Sequence, residues 1–82
     1  MMLDMMPNEP LTEFNGFHIG DRVREVQVAG YVLPLDTEKV FEISAIYRVD
    51  TTVPHVRITA RDIEDDWHRI DARWQHFAKA QS

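Results

Sequence analysis

Apolar and polar residues alternate with a period of two through the middle of the chain and with a helical period near its end. Between 39 and 49, Phe41, Ile43, Ala45, Tyr47 and Val49 share one face, while Glu42, Ser44 and Arg48 sit opposite. Ile46 interrupts the polar face. This alternation predicts a half-buried strand. A second run places Val56, Ile58 and Ala60 inward and His55, Arg57, Thr59 and Arg61 outward, with Asp50-Thr51-Thr52 as the hairpin connection. Upstream, Phe17-His18-Ile19 leads through the turn pair Gly20-Asp21 into a run from Arg22 to Val28. In that run Arg22, Arg24, Val26 and Val28 face one way, and Val23, Glu25 and Gln27 the other. Tyr31-Val32-Leu33 is strand-like and ends at Pro34.

Beyond residue 61 the spacing changes. Ile63, Trp67, Ile70, Trp74 and Phe77 recur at intervals of four, three, four and three. This predicts an amphipathic helix over 62–80, with Asp62 as its N-cap. Glu64, Asp65 and Asp66 fall where the helix dipole favours anions. Residues 1–16, with Pro7, Asn8, Pro10, Asn15 and Gly16, read as a flexible arm. The expected architecture is therefore α+β: a small antiparallel sheet or barrel of three to five strands, followed by a C-terminal amphipathic helix. Residues 17–82 make one compact domain.

Composition narrows the function more than the fold. A chain of 82 residues has room for one small core. It has no cysteine, which rules out disulfides and thiolate metal sites. No apolar run reaches the roughly 18 residues of a membrane span. The first residues carry no basic segment of the kind that opens a secretory signal, so a cytoplasmic location is expected. The formal charge of −5 works against broad nucleic-acid binding and favours a basic protein partner.

Catalytic chemistry finds little support. His18, His55, His68 and His76 lack metal-ligand spacing. The serines are Ser44 and Ser82, outside any nucleophile elbow. Gly16, Gly20 and Gly30 form no phosphate-cradling loop. No enzyme activity, cofactor or metal is expected.

Two constellations remain. The acids Asp62, Glu64, Asp65 and Asp66, with the distal aromatics Trp74 and Phe77, suit docking on a basic protein or on a second copy of the chain. Arg48, Arg57 and Arg61, with Tyr31 as a stacking partner, suit a phosphate or a single strand. Each also has a structural explanation. Acids solubilise and cap, aromatics fill a core, and cross-strand acids neutralise arginines.

The strands near 17–28, 31–33, 39–49 and 56–61, entered through Ile19-Gly20-Asp21-Arg22-Val23, resemble a small SH3-like barrel of the KOW or Tudor kind. The resemblance covers about half the chain and implies a binding module. The leading expectation is a non-enzymatic protein-interaction module, of the size and charge common among phage and mobile-element inhibitors and adaptors. The alternative is a nucleic-acid-associated SH3-like module that uses the arginine face.

Overall fold

The computed structural model describes residues 8–26, 28, 30 and 38–80. Its strands are β1 (Asn8–Leu11), β2 (Glu13–Phe14), β3 (Phe17–His18), β4 (Arg22–Glu25), β5 (Phe41–Val49), β6 (His55–Asp62), β7 (Asp65–Arg73) and β8 (Phe77–Lys79). A 3-10 turn, Trp74–His76, joins β7 to β8. The main sheet runs β7-β6-β5-β4-β8, with β1 also paired to β5. All of these pairings are antiparallel. Strands β2 and β3 form a separate hairpin. No helix among the described residues is long and apolar enough to cross a membrane.

Segment 8–14, read from sequence as part of an arm, supplies β1 and β2. The β2–β3 hairpin turns on Asn15-Gly16, both at positive φ. Two-residue primed turns need that conformation, and Asn-Gly is a sequence that adopts it readily. The sequence reading used these two residues only as breakers. Residues 1–7 and the expected strand at 31–33 lie outside the described residues.

The core fills the inner face of the sheet. Phe17, Val23, Phe41, Ile43, Ile46, Val56, Ile58, Ala60 and Phe77 are buried there. Leu11, Phe14, Ile70, Ala72 and Trp74 pack around them. The long strand is not regular, because its pairing with β6 shifts register between Ile43 and Ala45. A bulge adds one residue and reverses the facing of all that follow. Phe41 and Ile43 therefore point inward before the bulge, and Ile46 points inward after it. This accounts for the apolar residue that interrupted the polar face in the sequence pattern. It also turns Tyr47 away from the core, opposite Arg57.

The helix expected over 62–80 does not form, and the α+β class gives way to an all-β one. The segment is the end of β6, then β7, the 3-10 turn and β8. Two signals had been shared between the alternatives. Asp62 does accept from a free backbone amide, that of Glu64 at 2.8 Å, but across a two-residue turn rather than at a helix start. Ile70 and Trp74 belong to the helical stripe, but they also belong to the alternation Ile70-Ala72-Trp74 that packs on the core. Trp67 belongs only to the helical stripe, and it is 95% exposed. A strand also satisfies backbone groups that a helix would leave open. β7 pairs β6 from Arg57↔Arg73 to Asp62↔Asp65, and β8 completes β4.

These facings predict opposite outcomes for two aromatics of the same stripe. Phe77→Ala should cost about 3–5 kcal/mol in chemical denaturation, as for a buried aromatic. Trp67→Ala should stay within about 0.5 kcal/mol of the parent, as for an exposed surface site. Equal losses would contradict the strand assignment.

Candidate functional site

The residues singled out from sequence distribute into four environments. The first is the turn between β6 and β7. Asp62 is buried, at 2% exposure, so it cannot be a docking acid as the sequence suggested. Its Oδ2 accepts from Lys39 Nζ at 2.8 Å and lies 3.3 Å from His68 Nδ1, while Oδ1 accepts from the Glu64 amide. The Lys39 ammonium, followed by the Glu64 amide, outweighs desolvation and holds the carboxyl down at about 2. Asp62 thus anchors the turn to the segment that leads into β5.

The second environment is the tip that this anchor holds out. Glu64, Asp65, Asp66 and Trp67 are all exposed. Asp65 Oδ1 accepts from the Trp67 amide at 3.0 Å, which fixes the local backbone. Asp66 pairs with Arg61, whereas Glu64 and Asp65 enter no ion pair among the described residues. The result is a bare indole set among three carboxylates at the end of a two-stranded projection. Sequence reasoning found the acids but missed Trp67, because helical spacing assigned it to a covered stripe. Ile70 and Ala72 alternate with Arg69 and Asp71, but 65–69 are exposed throughout and 66–68 leave the regular pairing with β6, so no local pattern marked Trp67 as exposed.

The third environment is the outer face of the sheet. The arginines expected to form a phosphate-binding group are engaged there or point elsewhere. Arg57 Nε donates to Asp71 Oδ1 at 2.6 Å, and its Nη2 donates to the Asp71 carbonyl at 3.1 Å. Thr59 donates to Asp71 Oδ2 at 2.8 Å, and the Tyr47 hydroxyl donates to the same oxygen. Burial raises the Asp71 carboxyl, but the donors Tyr47, Arg57 and Thr59 outweigh it, so its pKa is lowered. Burial and the neighbouring Asp71 push the Tyr47 phenol up. Arg61 bridges Glu42 and Asp66, each at 2.5 Å. These are the cross-strand neutralisations weighed from sequence. Arg48 lies beyond the bulge on the opposite facing from Tyr47 and Arg57, so the three arginines do not converge. Tyr31 lies outside the described residues.

The fourth environment is a cleft of about 390 Å³ at the far end of the β6–β7 hairpin. Phe14, Arg48, His55, Val56, Arg73 and Trp74 are among the residues that line it. Its lining includes no carboxylate, and neither Arg48 nor Arg73 is ion-paired among the described residues. Trp74 is half-buried, with its ring edge-on to Phe14 at 5.6 Å. Phe77, the other aromatic expected to meet a partner, is buried in the core and unavailable. Among the described residues no three His, Asp or Glu side chains gather as a metal site.

No family model, curated protein or solved structure matches this chain.

The Asp62 anchor makes a pH prediction with a definite sign. Its pKa is depressed in the folded state, so its contribution is complete above the unfolded carboxylate value near 4 and is lost as pH falls toward about 2. Asp62→Asn should therefore lower the Tm at neutral pH by an amount that is constant down to about pH 5 and vanishes near pH 2. A difference that is independent of pH would contradict the ion-paired carboxylate.

Proposed function

We propose that the protein is a non-enzymatic interaction module that docks through the tip of the β6–β7 hairpin. The observation that carries this reading is Trp67, 95% exposed beside Glu64, Asp65 and Asp66. Exposing a whole indole on a small protein forgoes a large apolar burial. Tryptophan is also the residue type most enriched among the anchors of protein interfaces. The surrounding carboxylates suit a partner with an apolar pocket rimmed by basic groups, and their main effect is on the rate and specificity of encounter.

The tip suits docking mechanically as well. The buried carboxylate of Asp62 fixes the turn, and the Asp65 side chain fixes the backbone at Trp67. Little ordering is then needed on binding, which reduces its entropic cost. The SH3-like reading draws its support from strand order. β4, the first strand of the β4–β5–β6–β7 run, lies between β5 and the last strand β8, so the run curls back on itself. Size and charge fit an adaptor or inhibitor that occupies a site on a larger partner. The nucleic-acid alternative keeps less support, because Arg57 and Arg61 are held by carboxylates and Arg48 stands apart from them.

The test places a photocrosslinking residue at position 67 and, as a control, at the exposed Arg22 on β4, which belongs to neither the tip nor the cleft. Crosslinks to protein should form from 67 and not from 22. Trp67→Ala should weaken the captured complex about 30-fold or more, as for an interface anchor. Reversing charge at Glu64 and Asp65 should weaken it and flatten its salt dependence. Crosslinks from both positions alike, or from neither, would refute tip docking.

A further inference from the structure

The acidic tip with its bare indole and the basic cleft with its aromatic rim are separate surfaces. They complement each other in charge and chemistry, yet they sit at opposite ends of the same hairpin and cannot meet within one chain. β6 and β7 run between them, and nine residues of β7 span about 26 Å at 3.3 Å per residue. β7 is also the terminal strand of the sheet, with no partner on its outer side among the described residues.

Resting on the tip-docking reading, we propose that the partner of this surface is a second copy of the chain. The two β7 edges would lie antiparallel about a two-fold axis, so that each Trp67 seats at the basic cleft of the other copy. A two-fold arrangement brings both tips to both clefts at once, since a self-complementary patch makes every contact twice. The charges along β7 narrow the register. With the axis at Ile70, Arg69 falls opposite Asp71 of the partner copy, the Trp67 end of each β7 comes beside the Arg73 end of the other, and no two like charges are directly opposed. Moving the axis to Arg69 would set Arg69 against itself, and moving it to Asp71 would set Asp71 against itself. Like charges directly opposed across strands are unfavourable.

In the chosen register, residues directly opposite share a face of the joined sheet. Residues 66–68 leave the regular pairing with β6, so the tip is not bound to that alternation, and the Trp67 indole would pair with the Arg73 guanidinium at the cleft of the other copy as a cation–π contact. A cleft of about 390 Å³ lies within the size range of small-ligand sites and admits an indole. Edge strands are commonly guarded by charges that repel a second strand. Here the charges of β7 are self-complementary with the axis at Ile70 or Ala72 and clash with it at Arg69 or Asp71, and of the two allowed registers the one at Ile70 brings Trp67 beside Arg73.

The experiment measures solution mass by sedimentation up to about 1 mM protein, at low and high salt, for the parent and two variants. One variant is Trp67→Ala. The other is Arg48→Glu with Arg73→Glu, backed by Arg48→Gln with Arg73→Gln, and circular dichroism checks that each is folded. The parent should dimerise, more tightly at low salt. Each variant alone should be at least about tenfold weaker. An equimolar mixture of the two should form a heterodimer of intermediate strength, because the intact tip of one meets the intact cleft of the other.

A parent that stays monomeric throughout, a dimer indifferent to both variants, or a mixture with no recovery would each overturn the proposal. The crosslinker at position 67 separates this failure from that of tip docking. A monomeric parent whose position 67 still crosslinks to another protein removes the second copy and leaves docking standing, and crosslinks to neither remove both.

Discussion

One extra residue in β5 governs the arrangement of this protein. The bulge at Ser44 lets Phe41 and Ile43 reach the core from one parity and Ile46 reach it from the other. A regular strand could not bury all three, because a slip of one residue moves every later side chain to the opposite face. The three are at most 1% exposed and belong to a core of nine buried apolar residues among those described, so a chain this small has no margin to lose one. The same shift turns Tyr47 outward, where it completes the cluster of Arg57, Thr59 and Asp71. It also sends Arg48 to the end of the sheet, into the cleft. Core, outer polar cluster and basic cleft thus follow from a single irregularity.

A buried charge governs the other end of the hairpin. Burying a carboxylate is costly unless it is paired and hydrogen-bonded, and Asp62 is both. Its partners come from three places in the chain, at Lys39, Glu64 and His68, so it ties the start of β5, the turn and β7 together. That fixed turn allows the tip to project Trp67 into solvent with a defined backbone. The acidity of the protein is therefore not spread evenly in function. Some carboxylates fasten the fold, such as the buried Asp62 and the outer-face Asp71, and others are unpaired at the surface among the described residues, such as Glu64 and Asp65.

Strands with one inward face were legible from alternation, and β4, β5 and β6 lie close to where the pattern of Val23, Phe41–Val49 and Val56–Ala60 placed them. The C-terminal segment was not, for a physical reason. Ile70 and Trp74 satisfy periods of both two and 3.6, and Asp62 offers its carboxylate to a free amide in either a helix or a turn. What decided the matter was non-local: the outer edges of β6 and β4 required partners, and 65–79 supplied them. No local pattern carries that demand. The candidate site was half legible for the same reason. The acids of the tip were evident as charge. The exposure of Trp67 and the burial of Phe77 depended on which periodicity won, and the pairing of Arg57 and Arg61 depended on the cross-strand register.

The central claim is that residues 65–73 form an edge strand paired with β6, which leaves Trp67 bare. Nuclear Overhauser contacts along the backbone test it most directly. The account predicts cross-strand contacts joining Thr59 to Asp71 and Arg57 to Arg73, the pairs set by the register. A continuous run of sequential amide–amide contacts through 65–73, with no contact to β6, would mean a helix and would contradict the account.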